Sequence, residues 1–137
     1  MARSGRIRAV LDTSVLLSSE RRPLIFLASL DRFTIVWSDF IVNELRRKMM
    51  EIGWGREKSE RLLVSLMNLA EMVDYQQIEG GNYELWLRDP DDHPIMATAL
   101  IGKVDYLVTW NTKDFPPKKR FAGVTVITPD AFLREIS

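Results

Sequence analysis

Short apolar runs alternate along this chain with longer amphipathic or apolar stretches. The runs are rich in β-branched and aromatic side chains, which is typical of buried strands, and they cover residues 7–11, 33–37, 106–109 and 124–127. The longer stretches predict helices over residues 23–30, 39–52, 56–72, 94–101 and 129–136. Residues 73–78 form either a short edge strand or an extended link.

This alternation of strands and helices predicts an α/β fold. Right-handed helical crossovers between consecutive strands produce a parallel sheet with helices on its faces. The chain has 137 residues, of which 46% are hydrophobic, and it contains no internal repeat, low-complexity segment or linker-like stretch. We therefore expect a single domain over residues 1–137 with one packed core.

Glu44 stands out within the predicted helix 39–52. It follows Phe40 by four residues and Ile41 by three, so its side chain lies on or beside the buried face of the helix. An apolar side chain is more common at such a position than a carboxylate. Glu44 is therefore a candidate for a functional role.

Other acidic residues stand where predicted strands end or helices begin. Asp12 closes the first predicted strand, Asp114 follows the third, and Asp92 precedes a helix. The carboxyl ends of parallel strands meet at one edge of the sheet, where α/β folds place their sites. Carboxylates gathered in one cleft repel each other unless a cation joins them, and Mg²⁺ prefers oxygen ligands. The acids therefore indicate metal-dependent chemistry on phosphate esters.

Each acidic segment also has a structural explanation. Asp91 and Asp92 precede a predicted helix, where acids cap free N–H groups and suit the helix dipole. The polar residues after Asp12 suit a helix cap, and Asn111 and Asp114 are typical of turns. One capping acid is enough at a helix start, so it is the presence of several such acids together that favours a shared site.

The charge balance does not resemble that of a typical nucleic-acid-binding protein. Lys and Arg number 19, and so do Asp and Glu, so the formal net charge is zero. Such proteins are usually basic, so attraction to phosphates has to come from local patches. Two are visible, at residues 46–48 and 118–120. Clusters of this kind more often form a solvated surface than a nucleic-acid groove.

Several classes of site are excluded by composition. The chain has no Cys and one His, His93, which excludes disulfides, a Cys nucleophile, Cys-based zinc sites and poly-His zinc sites. No stretch approaches the ~20 apolar residues of a membrane span. The apolar run after the basic N-terminus is too short for a signal peptide. We therefore expect a cytoplasmic protein with no membrane segment.

Four stretches in order resemble the PIN-domain family, and within it the VapC-like toxins of bacterial and archaeal toxin–antitoxin pairs. They lie at residues 10–17, 38–45, 89–100 and 107–115, and the similarity extends from about residue 7 to 130. The resemblance implies a three-layer α/β/α sandwich with a central parallel sheet. It also implies an endoribonuclease that uses Mg²⁺ or Mn²⁺ to cleave phosphodiester bonds of single-stranded or structured RNA.

The resemblance also implies roles for individual residues. The four catalytic, metal-binding acids are Asp12, Glu44, Asp92 and Asp114. Asp91 is the third acid instead if the match is offset by one residue. Many members have Asp where this chain has Asn111, so Asn111 is expected to support Asp114. Ser14 and Thr109 correspond to hydroxyl groups that donate hydrogen bonds to the site carboxylates.

Further expectations concern the partners. The candidates for RNA backbone contacts are Arg46, Arg47, Lys113, Lys118 and Lys119. Trp110 either stacks on an unpaired base or packs in an ordinary way, and His93 is expected to start a helix rather than to act in catalysis. The segments 23–30 and 56–72 offer more apolar surface than one core needs, so we expect a homodimer. The resemblance also implies a cognate antitoxin.

Two other functions fit the same residues. A PIN fold whose acids are structural would be a catalytically inactive module that binds RNA or a protein. A different metal phosphohydrolase would act on a small phosphate ester, although the chain lacks a Gly-rich loop to hold phosphate. Cleavage of RNA with Mg²⁺, abolished by Asp12→Asn, distinguishes the nuclease from both.

Overall fold

The computed structural model describes residues 6–74, 93–113, 115, 120–121 and 123–137. The strands are β1 (Ile7–Leu11), β2 (Phe33–Trp37), β3 (Glu71–Met72), β4 (Tyr106–Val108), β5 (Arg120–Phe121) and β6 (Val124–Ile127). The helices are α1 (Thr13–Leu16), α2 (Arg21–Ser29), α3 (Asp39–Glu51), α4 (Arg56–Leu69), α5 (His93–Ile101) and α6 (Pro129–Ile136). None of the helices in these ranges has the length and apolar character needed to cross a membrane.

The strands form one sheet in the order β3-β2-β1-β4-β6-β5. Five strands run parallel, and β5 pairs antiparallel with β6. β1 and β4 are the two central strands. After β1 the chain adds β2 and then β3 on one side, and it then reverses and adds β4, β6 and β5 on the other side of β1. Ligands of open α/β sheets bind at such a reversal, beside the carboxyl ends of the strands. The expected α/β fold with a central parallel sheet is confirmed.

The bounds of several elements differ from the prediction, and the helix expected over 23–30 covers Arg21–Ser29. The helix expected over 56–72 ends at Leu69, and the edge strand begins at Glu71 rather than at residue 73. Glu71 pairs with Val36 of β2, and this tertiary pairing extends the chain where its amphipathic pattern favours helix. The basic residues around Arg120 were expected in a loop, but Arg120 and Phe121 form β5.

Aromatic side chains fill the core beneath the sheet. Phe33, Trp37, Phe115 and Phe132 are almost completely buried. Phe132 of α6 meets Phe33 of β2 edge to face, with ring centroids 5.1 Å apart. Burying each such side chain stabilises the fold by about 1.5–3 kcal/mol. The contact between Phe33 and Phe132 holds α6 against the sheet.

Helix α3 is attached to the sheet at its first turn. Ser38 occupies the N-cap position in an extended conformation, as expected from the sequence. Its hydroxyl forms a hydrogen bond with the hydroxyl of Thr98 of α5, at 2.8 Å, and Thr98 in turn donates to the carbonyl oxygen of Pro94. The helix then ends before Gly53, whose positive φ of 84° suits a residue without a side chain. Because the start and the end of α3 are fixed in this way, the direction in which Glu44 projects from the helix is fixed as well.

Candidate active site

Asp12 lies at the carboxyl end of β1, where it is the N-cap of α1 and only 6% exposed. Its Oδ1 accepts a hydrogen bond from the backbone N–H of Thr13, at 2.8 Å. Its Oδ2 accepts from the hydroxyls of Thr109, at 2.8 Å, and Ser14, at 3.2 Å. The structure therefore brings both hydroxyls that the sequence singled out to this carboxylate.

The loop after β4 is joined to the Asp12 region by short hydrogen bonds. Thr109 Oγ1 accepts from the backbone N–H of Asn111, at 2.9 Å, while its hydroxyl donates to Asp12. The backbone N–H of Trp110 donates to Ser14 Oγ, at 3.3 Å. Asn111 thus contributes to the region through its backbone. The loop that leads toward Asp114 starts directly beside Asp12.

Glu44 projects from α3 toward the same region, and its side chain is 10% exposed. Its Oε1 accepts a hydrogen bond from the hydroxyl of Thr13, at 3.1 Å. Burial raises the pKa of this carboxyl, and the negative charge of Asp12 acts in the same direction. Lys48, the Thr13 hydroxyl and Arg47 act in the opposite direction but do not cancel it. Ionised Glu44 is therefore a cost to the folded protein.

Thr13 joins the two acids, although no pattern in the sequence indicates this role. It is fully buried; its backbone N–H donates to Asp12 and its hydroxyl donates to Glu44. Lys48 was also missed, although its neighbours Arg46 and Arg47 were named. Its Nζ lies 3.1 Å from Thr13 Oγ1 and 4.0 Å from Glu44 Oε1. The signal in the sequence is the spacing of four residues between Glu44 and Lys48, which places both on one side of a helix.

A family model for the PIN domain matches residues 8–113, which is more than half of the chain. The chain belongs to the PIN-domain family. PIN domains are generally nucleases, which hydrolyse phosphodiester bonds, and they generally use divalent metal ions. A comparison with curated proteins gives no match.

The donor set of this PIN domain suits a hard divalent cation. Asp12 and Glu44 offer carboxylate oxygens, and among the described residues no donor reaches Glu44 Oε2. Each oxygen of Asp12 that accepts a hydrogen bond keeps a further lone pair. Asp92, Asp114 and the alternative Asp91 lie outside the described residues. Within the described ranges no three His, Cys, Asp or Glu side chains form a metal-binding group.

The basic residues predicted to contact RNA lie at different places around the acids. Arg47 is exposed and pairs with Glu51, at 2.8 Å. Lys113 is exposed in the loop after β4. Arg46 is two positions after Glu44, about 200° around the helix axis, and it lines a groove between α3 and α4. The structure does not bring Arg46 to the acids. Lys118 and Lys119 lie outside the described residues.

Trp110 is 42% exposed, next to Ser14 at the edge of the acid pair. Its exposure leaves part of the indole accessible to solvent. Helix α5 begins at His93, in agreement with the expectation that this residue starts a helix.

Proposed function

We propose that this PIN domain is an endoribonuclease that depends on Mg²⁺ or Mn²⁺ and cleaves phosphodiester bonds of single-stranded or structured RNA. The observation that supports the proposal is the joining of Asp12 and Glu44 through Thr13. The two acids come from different elements, they are both largely buried, and they lie beside the carboxyl ends of β1 and β4. Two largely buried carboxylates that share one buried threonine support a common site.

In this proposal, one group of residues binds the metal ion and another orients the metal-binding carboxylates. Asp12 and Glu44 hold the metal together with Asp92, or Asp91 in its place, and Asp114. The hydroxyls of Ser14 and Thr109 keep Asp12 in one orientation. A bound Mg²⁺ or Mn²⁺ supplies activation of water and stabilisation of the leaving oxygen.

Substrate binding is assigned to the surface around the acids. Lys113 and Arg47, with Lys118 and Lys119, attract the phosphates, and Asn111 supports Asp114. The partly exposed indole of Trp110 stacks on an unpaired base. Because the net charge of the chain is zero, these local cations and the metal have to offset the charge of the RNA.

The experiment is a cleavage assay on defined RNAs with Mg²⁺, with Mn²⁺ or with chelator. We expect cleavage with either ion, none with chelator, and a loss of at least about 100-fold in Asp12→Asn. Asp31→Asn is the matched control, because Asp31 is exposed at the amino end of β2 and its positive φ of 61° is acceptable to Asn. RNA binding without metal and without cleavage would instead identify the inactive binding module.

We also propose that the protein is the toxin of a toxin–antitoxin pair, binds a cognate antitoxin and forms a homodimer. The dimer is supported by exposed apolar side chains on the neighbouring helices α2 and α4: Phe26, Leu30, Val64 and Met67. Light scattering at micromolar concentration should give twice the mass of the chain, and Met67→Asp should reduce it to that of one chain. A monomeric wild-type protein would contradict the dimer.

A further inference from the structure

Among the described residues, Lys48 is a cation that the fold places beside Glu44 and Thr13. It lies one helical turn after Glu44, and its Nζ is 4.0 Å from Glu44 Oε1 and 3.1 Å from Thr13 Oγ1. Its side chain is 36% exposed, so the ammonium lies at the mouth of the site with one side open to solvent. Arg47, the next residue, pairs instead with Glu51.

The hydrogen bonds at Thr13 show how Lys48 acts. A lysine ammonium is a donor and has no acceptor, so Thr13 Oγ1 has to accept from Lys48. The hydroxyl hydrogen of Thr13 is then directed to Glu44, at 3.1 Å. Lys48 thereby fixes the donor that orients Glu44, and its own charge partly neutralises the Glu44 carboxylate.

A divalent ion and the Lys48 ammonium compete for the same negative charge. An ion bound by Glu44 is about 2 Å from the carboxylate oxygen, and Lys48 Nζ is already 4.0 Å from Oε1. Two positive groups a few ångströms apart repel each other, and the burial of Glu44 between them makes this repulsion stronger than in bulk water. The flexible stem and partial exposure of Lys48 allow the ammonium to move into solvent when the ion arrives.

We propose that Lys48 is an internal counter-cation of the Asp12–Glu44 pair, which a divalent metal ion displaces, and that it thereby sets the metal concentration at which the site fills. This inference rests on the metal binding included in the proposed function. Lys48 is a positioning residue in the metal-free protein, because it acts on Glu44 through Thr13.

The test is the dissociation constant of Mn²⁺, measured by titration calorimetry on the full chain without RNA. Lys48→Met should bind Mn²⁺ about three- to tenfold more tightly than wild type, because the competing charge is gone. Lys48→Arg, which keeps the charge, should stay within about twofold of wild type. Arg61→Met is the matched control, because Arg61 forms an exposed pair with Glu57 at the same helical spacing on α4.

Thermal unfolding supplies a second measurement. In chelator, Lys48→Met should unfold at a lower temperature than Arg61→Met, because the acid pair has lost its counter-cation. Saturating Mn²⁺ should remove this difference. A Lys48→Met variant that binds Mn²⁺ no more tightly than Arg61→Met would overturn the inference.

The results also separate this inference from the proposed nuclease. Tighter Mn²⁺ binding by Lys48→Met with no RNA cleavage by any variant would support the counter-cation and refute the nuclease. Mn²⁺-dependent cleavage by the wild type, with unchanged Mn²⁺ affinity in Lys48→Met, would refute only the counter-cation. No Mn²⁺ binding by any variant would refute both.

Discussion

The hydroxyl of Thr109 donates a hydrogen bond to Asp12 Oδ2, at 2.8 Å, and so joins the ends of the two central strands. The bond is buried, and the same oxygen of Thr109 accepts from the backbone N–H of Asn111. One side chain therefore determines both the orientation of Asp12 and the path of the loop after β4.

Thr109→Val should lower stability and metal affinity together. Valine has a similar shape, but it leaves Asp12 Oδ2 with the longer bond from Ser14 and leaves the N–H of Asn111 without its acceptor. The loss should be about 1–3 kcal/mol in the free energy of unfolding, measured with urea, together with weaker Mn²⁺ binding. Thr34→Val, at a half-buried position on β2, is the control. Equal losses in both variants would show that Thr109 has no special relation to Asp12.

Glu44→Gln should stabilise the metal-free protein while it abolishes cleavage. Because burial raises the pKa of Glu44, the folded protein loses stability when this group ionises above its ordinary pKa. A glutamine still accepts the hydrogen bond of Thr13 and removes the buried charge. In chelator at pH 7 we expect a gain of about 0.5–2 kcal/mol, measured by urea unfolding. A large loss of stability would mean that the charge of Glu44 is needed to hold Lys48 in place.

The ion pair between Arg8 and Glu71 should make stability depend on pH. Arg8 Nη1 and Nη2 contact the two oxygens of Glu71 at 2.8 and 2.6 Å, and this hydrogen bonding lowers the pKa of Glu71. The stabilisation is complete above the ordinary pKa of the carboxyl and disappears as the pH falls through the lowered value. Glu71→Gln should therefore cost about 1 kcal/mol at pH 7, and less as the solution becomes acidic.

The control for this pH dependence is Glu57→Gln. Glu57 pairs with Arg61 on the exposed face of α4, at 3.3 Å. An exposed pair of this kind contributes about 0.5 kcal/mol or less, so urea unfolding should show a small effect at every pH. A cost of Glu71→Gln that stays constant from pH 7 to pH 3 would contradict the assigned cause.

Gly102→Ala should destabilise the fold through two close contacts. A Cβ added at Gly102 would lie 2.5 Å from Val36 Cγ1 and 3.0 Å from the carbonyl oxygen of Thr98, so the end of α5 would have to move away from β2. We expect a cost of about 1–3 kcal/mol. Gly55→Ala adds a Cβ in open space and should cost less than about 1 kcal/mol. Both are measured by thermal or urea unfolding.

Most of the fold was predictable because local patterns and the final structure agree. The strands at 7–11, 33–37 and 124–127 and the helix at 129–136 have the bounds that their apolar patterns predict. Two deviations occur where pairing with a distant strand, rather than the local sequence pattern, determines the conformation of the chain. Glu71 and Arg120 enter strands because β2 and β6 offer hydrogen bonds at that point, which no local pattern contains.

The site was predictable to a similar extent. Strand ends and helix periodicity indicated Asp12 and Glu44, and the structure brings them together. The role of Thr13 was not predictable, because its backbone and its hydroxyl serve different acids, and this depends on how α1 lies against α3. The side chains of the basic cluster 46–48 do not share one surface, because each step of about 100° around the helix directs neighbouring side chains differently.

The order of the strands has a consequence for how such a protein can change over evolution. The chain builds its sheet outward in both directions from β1 and β4, so the outermost strands, β3 and β5, are separated from the Asp12 region by other strands. Insertions at these margins can create new surfaces for recognition without disturbing the proposed active site. The surfaces that select a partner can therefore change in evolution independently of the residues around Asp12.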